Sequence, residues 1–345
     1  MARFIVARLF SSILLFFAVT LFVFIVFFVM PQPTIRQLGR GGNASDYDIH
    51  NALRLQGSLP DQYAQFTWGL VRHGDLGRSY QNRREVKDLI FNAAPVTLSL
   101  LAGGVIFWLL MAVPIGILSA LRPRSLLDRS GMVFVLIGVS AHPAWLGLVL
   151  GWLLGFKLHA FPFTGYCEVF SPETPCGGPT QWAYHLLLPW FVFAFLYAAI
   201  YARMIRASML ETMDEEYVRT ARAKGAGEAQ VVRGHVIRNA MLPVVTMLGM
   251  DIGTALGGVI FIETVFGLPG LGGMLRQAIP SKDLPVILGV VTFTTIGILI
   301  LNLVVDLTYA FIDPRVRMAE PSRVRARRTP GTRESRVPEP ATTTG

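Results

Sequence analysis

The residues able to do chemistry are few, and most stand where an ionised group is costly. Asp251 and Asp306 lie inside long apolar runs, where a carboxylate must find water, a partner or a function. Asn302, Asp306 and Tyr309 follow at i, i+4 and i+7, which puts them on one face of a helix. Two roles stay open for Asp251, Asn302 and Asp306: hydrogen bonds that hold helices together, or the lining of a translocation path. Neither aspartate belongs to a paired carboxylate–histidine relay of the kind a proton pump uses. The two cysteines, Cys167 and Cys176, share one loop that also holds Pro172 and Pro175. In an oxidising space that spacing permits a small disulfide-closed loop without demanding it. A zinc site there would need two further ligands, with His159 and His185 the nearby candidates, and no metal is expected.

Several chemistries are missing. The chain has no GxxxxGK[ST] phosphate loop, no HExxH and no GxSxG, so it is not expected to be an enzyme or to bind a nucleotide itself. Gly267, Gly270, Gly272 and Gly273 do not form a dinucleotide fingerprint and are expected to shape a turn. No basic run is interleaved with stacking aromatics, which sets nucleic acid aside as a partner. Any active transport must therefore draw energy from an ion gradient or from another chain.

The elements that position these residues follow from composition. Of 345 residues, 52% are hydrophobic and 15% charged, an apolar excess that needs lipid as solvent. A bilayer crossing takes about 20 apolar residues. Six stretches reach that length: Leu9–Met30, Val96–Leu121, Met132–Phe156, Leu186–Ile205, Ala240–Ile262 and Val286–Ile312. The expectation is an all-α polytopic membrane protein with six transmembrane helices. Residues 1–30 form the first, read as a retained helix because its apolar run exceeds that of a cleavable signal. Residues 31–95 form a small extracytoplasmic region, residues 96–317 the core with a cytoplasmic loop at 209–239, and residues 318–345 a disordered tail.

Charge sets the orientation. Arg3 and Arg8, Arg122 to Arg129, Arg203 to Arg238 and Arg315 onward all fall on one side if each stretch crosses once. The positive-inside rule makes that side the cytoplasm and places both termini there. Within 31–95, Gln62 to Val71 reads as a short helix and Glu85 to Phe91 as another, forming either a lid on the bundle or a docking surface. In the fifth stretch, Gly249, Gly253 and Gly257 recur every four residues and make a ridge for close helix approach, with Asp251 pointing away from it.

The stretch Asp214 to Asn239, DEEYVRTARAKGAGEAQVVRGHVIRN, is the most informative. Asp214, Glu215 and Glu216 open a helix where its dipole favours negative charge, and Arg222 and Lys224 close it. Gly225 and Gly227 then break it before a second helix starts at Glu228. Ala221 and Ala223 are small enough for close approach to a partner, and Arg219 and Arg222 are placed either to reach that partner's carboxylates or to form a solvated basic face.

TARAKGAG followed by HVIRNAMLPVV resembles the EAA loop of ABC-importer permeases, in the variant of the dipeptide/oligopeptide/nickel family. DQYAQFTWGLVRHGDLGRSY, ETVFGLPGLGGMLRQAI and YAFIDPRVR are similar to the family's other recurrent segments, in the same order. The chain has Arg219, Thr220 and Ala221 where the general pattern has Glu-Ala-Ala, and its Leu-Pro is displaced to Leu242-Pro243, as in the peptide branch. The long outer loop after the first helix resembles the B-type subunit.

The resemblance implies a type I ABC importer permease fold in a bacterial inner membrane. It implies a heterodimer with a C-type permease, two cytoplasmic ATPase subunits that bind ATP and Mg, and an extracytoplasmic solute-binding protein. It further implies that Glu216, Arg219, Thr220, Ala221, Arg222, Ala223, Lys224 and Gly225 contact an ATPase subunit. The family's substrates span dipeptides, oligopeptides, nickel chelates, glutathione and some oligosaccharides. Two other classes remain open: an ion-coupled transporter or channel working through Asp251 or Asp306, and a membrane scaffold that transports nothing.

Overall fold

The computed structural model describes residues 2–29, 59–79, 81–169 and 176–312. Every regular element in it is helical. Helix α1 (Ala2–Val29) is followed by α2 (Leu59–His73), α3 (Val86–Leu121) and α4 (Leu126–Ser140). Next come α5 (Pro143–Leu150), which continues as a wider π-helical turn over Gly151–Lys157, and α6 (Pro179–Met213). Helices α7 (Glu216–Ala223) and α8 (Glu228–Val231) lead through a π turn (Val232–Val236) into α9 (Ile237–Ala240). The chain closes with α10 (Leu242–Phe266), α11 (Leu271–Ser281) and α12 (Leu284–Ile312).

Four helical runs are long and apolar enough to cross a membrane: Val86–Leu121, Pro179–Met213, Glu228–Phe266 and Leu284–Val305. The pair α4 and α5 makes a fifth if it counts as one span, and α1 adds an apolar run over Phe10–Val26. Helix α3 has 36 residues, about 54 Å at 1.5 Å per residue, well beyond a hydrocarbon core of about 30 Å. Phe10, Phe22, Ile106, Leu110, Leu136 and Phe156 all face outward. A surface so apolar belongs in lipid or under another membrane subunit.

One expectation needs correction. Met132–Phe156 is not one straight helix: α4 and α5 meet at 106°. Pro143 has no N–H to give and crowds its predecessor out of the helical region, so His142 sits extended at ψ 129°. His142 Nδ1 then accepts from the Ala144 N–H at 3.2 Å and starts α5 afresh. The helix read at Glu85 to Phe91 forms as the first turns of α3, which runs on from Val86 into the second span without a break. The short helix expected at Gln62 to Val71 is present as α2. Its Tyr63 hydroxyl donates to the Phe17 carbonyl at 3.1 Å, so α2 lies on α1 as a lid would. Residues 31–58 and the tail lie outside the described residues.

The core centres on α3 against α6. Gly104 abuts Phe193, and Gly116 lets the Ala202–Ile205 segment approach so closely that a Cβ there would sit 2.7 Å from Ile205. Trp108 is fully buried between these helices, stacked on Tyr197 with centroids 4.6 Å apart. A smaller apolar cluster joins Val86 and Ile90 of α3 to Leu271 and Ala278 of α11 and Val286 and Ile287 of α12. It holds the end of the bundle opposite α7.

Candidate functional site

The stretch after α6 folds as its residues dictate. Asp214 closes α6, Glu215 stands extended as the N-cap of α7, and Glu216 fills the first turn. Val218 is completely buried and anchors α7 to the bundle, while half-buried Ala221 packs beside it. Glu216, Arg219, Thr220, Arg222, Ala223, Lys224 and Gly225 are all exposed, so seven of the eight residues expected to meet a partner form one open surface. Gly225 adopts φ +81° with nothing within 4 Å of where its Cβ would be. Glycine is required there by backbone conformation and not by crowding.

Arg222 behaves differently from expectation. Its guanidinium grips Glu228 at 2.8 and 3.1 Å across the glycine turn, so it braces α7 against α8 and does not stand free for a partner's carboxylate. Glu228 pushes the guanidinium further above its ordinary value, and Arg222 carries its charge at every physiological pH. Arg219 has no ion pair among the described residues and keeps its charge for another surface. Behind the turn, Asn239 Nδ2 donates to the Tyr217 hydroxyl at 2.8 Å, and the Ser208 hydroxyl donates to the Ala240 carbonyl at 2.9 Å. These bonds tie α7 and α9 to each other and to α6.

The membrane carboxylates separate into different interfaces. Tyr201 of α6 donates to Asp251 Oδ2 at 2.8 Å, so Asp251 faces α6. Gly249 and Gly253 lie on the other side of α10, against Val305 and Asn302 of α12, and a Cβ on Gly253 would be 2.6 Å from Asn302 Oδ1. Gly257 meets nothing within 4 Å, so two of the three ridge glycines make the close contact. Asp251 and Asn302 are thus not brought to one site, and the side chains of Asp306 and Tyr309 lie outside the described residues.

Sequence reasoning missed three carboxylates. Glu263 is completely buried at the end of α10 and accepts from the Thr97 hydroxyl at 2.6 Å, the Gly272 N–H at 2.7 Å and the Gly273 N–H at 3.3 Å. The glycine run does turn the chain, at Gly267 with φ +61°, and it also opens α11 at the N-terminus that Glu263 caps from a distance. Asp283 accepts from the Ser79 hydroxyl at 2.5 Å and the Gln81 N–H at 3.3 Å, strapping the segment after α2 to α12. At the other end Asp128 accepts from Arg206 at 2.6 and 2.9 Å and from the Arg124 N–H at 2.9 Å. The available signal was a lone Glu closing an apolar run just before GLPGLGG.

The family described as binding-protein-dependent transport system inner membrane component matches residues 112–318, and its N-terminal companion matches residues 1–101. The chain belongs to this family. The permease is an inner-membrane, multi-pass component of a binding-protein-dependent system, which removes the ion-coupled and scaffold alternatives. It is 34% identical over 337 residues to the dipeptide transport system permease protein DppB of Escherichia coli K12, covering 92% of this chain and 99% of that one. It is 39% identical over 324 residues to a Brucella suis biovar 1 protein provisionally named a peptide permease, covering 92% and 100%. Its fold is similar to that in the crystal structure of an amino acid ABC transporter with histidines. That match has a TM-score of 0.52 at 15% identity and covers 65% of this chain and 94% of the other. The inward-facing methionine ABC transporter MetNI gives a TM-score of 0.50 at 18% identity, covering 65% and 96%. The permease therefore has the ABC importer fold.

In the permease, Cys167 and Cys176 are joined, with Cα atoms 5.1 Å apart. Cys167 is buried, and His185 lies 3.2 Å from its sulfur while donating from Nδ1 to the Gln181 carbonyl at 2.9 Å. Thr164 sits under Gly267, so the segment leading to Cys167 packs at the same end as the Glu263 cap.

Proposed function

We propose that this permease moves di- or oligopeptides across the inner membrane as one half of a heterodimeric path, and that α7 is the seat of a cytoplasmic ATPase subunit. The peptide assignment is supported by likeness to the dipeptide permease over nearly the full length of both chains. The coupling assignment rests on one observation: a short helix pinned by buried Val218 and braced by Arg222 and Glu228 offers an otherwise exposed, mixed-charge surface. A C-type permease would supply the other half of the path, and a solute-binding protein would deliver the peptide at the end that carries α11. Two ATPase subunits would bind ATP and Mg. Both termini would lie in the cytoplasm with α7, in accord with the arginines of that side.

ATP can drive the bundle only through its different affinity for two states of the ATPase pair, so α7 must follow that pair as a rigid body. Gly225→Val tests this. A β-branched residue at φ +81° costs about 1–2 kcal/mol, and open space around the turn lets the strain relax by tilting α7. The variant is expected to insert normally, to co-purify less ATPase and to lose ATP-driven peptide uptake in proteoliposomes. Wild-type uptake together with wild-type co-purification would remove the coupling assignment.

A further inference from the structure

Asp251 opens a short strip on α10 that is not apolar. Asp251, Thr254 and Gly258 follow at i, i+3 and i+7 and share one face, on the side away from Gly253 and Asn302. Asp251 is partly exposed and Thr254 exposed, and among the described residues α6 reaches them through Tyr201 and Tyr197. Thr254 donates its hydroxyl to the Asp251 carbonyl at 2.9 Å and also meets the Tyr197 hydroxyl. At Gly258 the missing side chain leaves a notch, with the Tyr197 hydroxyl 3.8 Å from the Cβ position. From α6, Tyr201 reaches Asp251 Oδ2, and both tyrosines pack on buried Trp108. Trp108 Nε1 has no hydrogen-bond partner among the described residues.

Lipid does not tolerate such a strip. Ionisable groups at membrane depth turn to a water-filled cavity, a bundle interior or a counter-charge. Asp251 has no counter-charge among the described residues, and Tyr201 satisfies only one of its two oxygens. The open Asp251 oxygen, the exposed Thr254 and the notch therefore face water. A carboxylate with one oxygen free beside two tyrosine hydroxyls is an acceptor set for a primary ammonium, whose three N–H groups need three acceptors.

We propose that the Asp251, Thr254 and Gly258 face of α10, with Tyr197 and Tyr201, is a wall of the translocation path and that Asp251 receives the N-terminal ammonium of the passing peptide. This rests on the peptide-import reading. Tyr201 is a positioning residue that orients the carboxylate, and the notch at Gly258 leaves room for the peptide's first side chain. The site is one of passage: a single exposed acceptor pair holds the ammonium briefly and lets it leave.

Asp251→Asn isolates the charge, because its amide oxygen still accepts from Tyr201. In the complete transporter reconstituted with its partner subunits and binding protein, ATP-driven uptake of radiolabelled dialanine is expected to fall about tenfold or more, the loss of one charge-assisted hydrogen bond. Asp251→Glu should recover much of it, and both variants should retain their partner subunits on purification. As a second arm, Thr254→Cys in this chain provides its only free thiol. A water-soluble cationic methanethiosulfonate should modify that thiol in the assembled complex, more slowly during dialanine turnover. Uptake by Asp251→Asn at the wild-type rate, equal losses in the Asn and Glu variants, or labelling of Thr254→Cys unaffected by turnover would overturn the assignment alone. Failure of the wild-type transporter to import either dialanine or radiolabelled pentaalanine would overturn the peptide reading and the ammonium site with it.

Discussion

The α11 end of the bundle and the α7 turn handle charge in opposite ways. Around α11 the carboxylates of Glu263 and Asp283 are buried, and each takes a hydroxyl donor from a segment far away in the chain. In α7 and its turn the charged groups are exposed, and their ion pair, Arg222 with Glu228, spans six residues, while the buried charge at that end, Asp128, is held apart from them by Arg206. Buried charges stay only where hydrogen bonds replace the water they have lost, so the α11 end is built to hold one arrangement. Exposed pairs contribute little to stability and are free to exchange partners. The α7 end is thus suited to transmit and the α11 end to resist.

Three experiments would break or sharpen this contrast. The largest effect is expected at Glu263. Its replacement by Ala strands the Thr97 hydroxyl and the N–H groups of Gly272 and Gly273, at about 1–3 kcal/mol each. Glu263→Ala should lower the melting temperature in detergent sharply or prevent recovery of folded protein, while Glu263→Gln, which keeps an acceptor, should lose less. A melting curve for Glu263→Ala that overlays the wild type would contradict a holding role for this end.

Next comes the disulfide at the same end. A bond between Cys167 and Cys176 closes a loop of nine-residue separation, worth about 2.5 kcal/mol by chain entropy. Mass spectrometry without reduction should find both cysteines in one linked peptide. The double replacement by Ser should melt earlier than the wild type yet transport at permissive temperature. Two free thiols recovered under quenching conditions would remove the bond from the account.

The smallest stability effect, with the clearest functional one, is expected at the α7 turn. Arg222→Glu should leave the melting temperature unchanged but reduce uptake per ATP hydrolysed, and Glu228→Arg should do the same. The charge-swapped pair restores attraction across Gly225 and should recover coupling. If the swap recovers nothing while each single variant still binds its ATPase subunit, Arg222 acts on the partner and not on Glu228.

Hydropathy, arginine placement and the caps of the Asp214 to Asn239 stretch fixed the helical class, most helix positions and the helix, glycine turn, helix order around Gly225. These are local properties, since a helix forms its bonds within four residues and a positive φ is set by one. Only the tertiary structure decided that Arg222 turns to Glu228, that Asp251 and Asn302 part to opposite faces of α10, and that α4 meets α5 at 106°. It also decided the role of Glu263, whose donor Thr97 stands 166 positions away. Periodicity states which residues share a face, but which neighbour that face meets is settled by the packing of the whole bundle, and so is the fate of every buried charge.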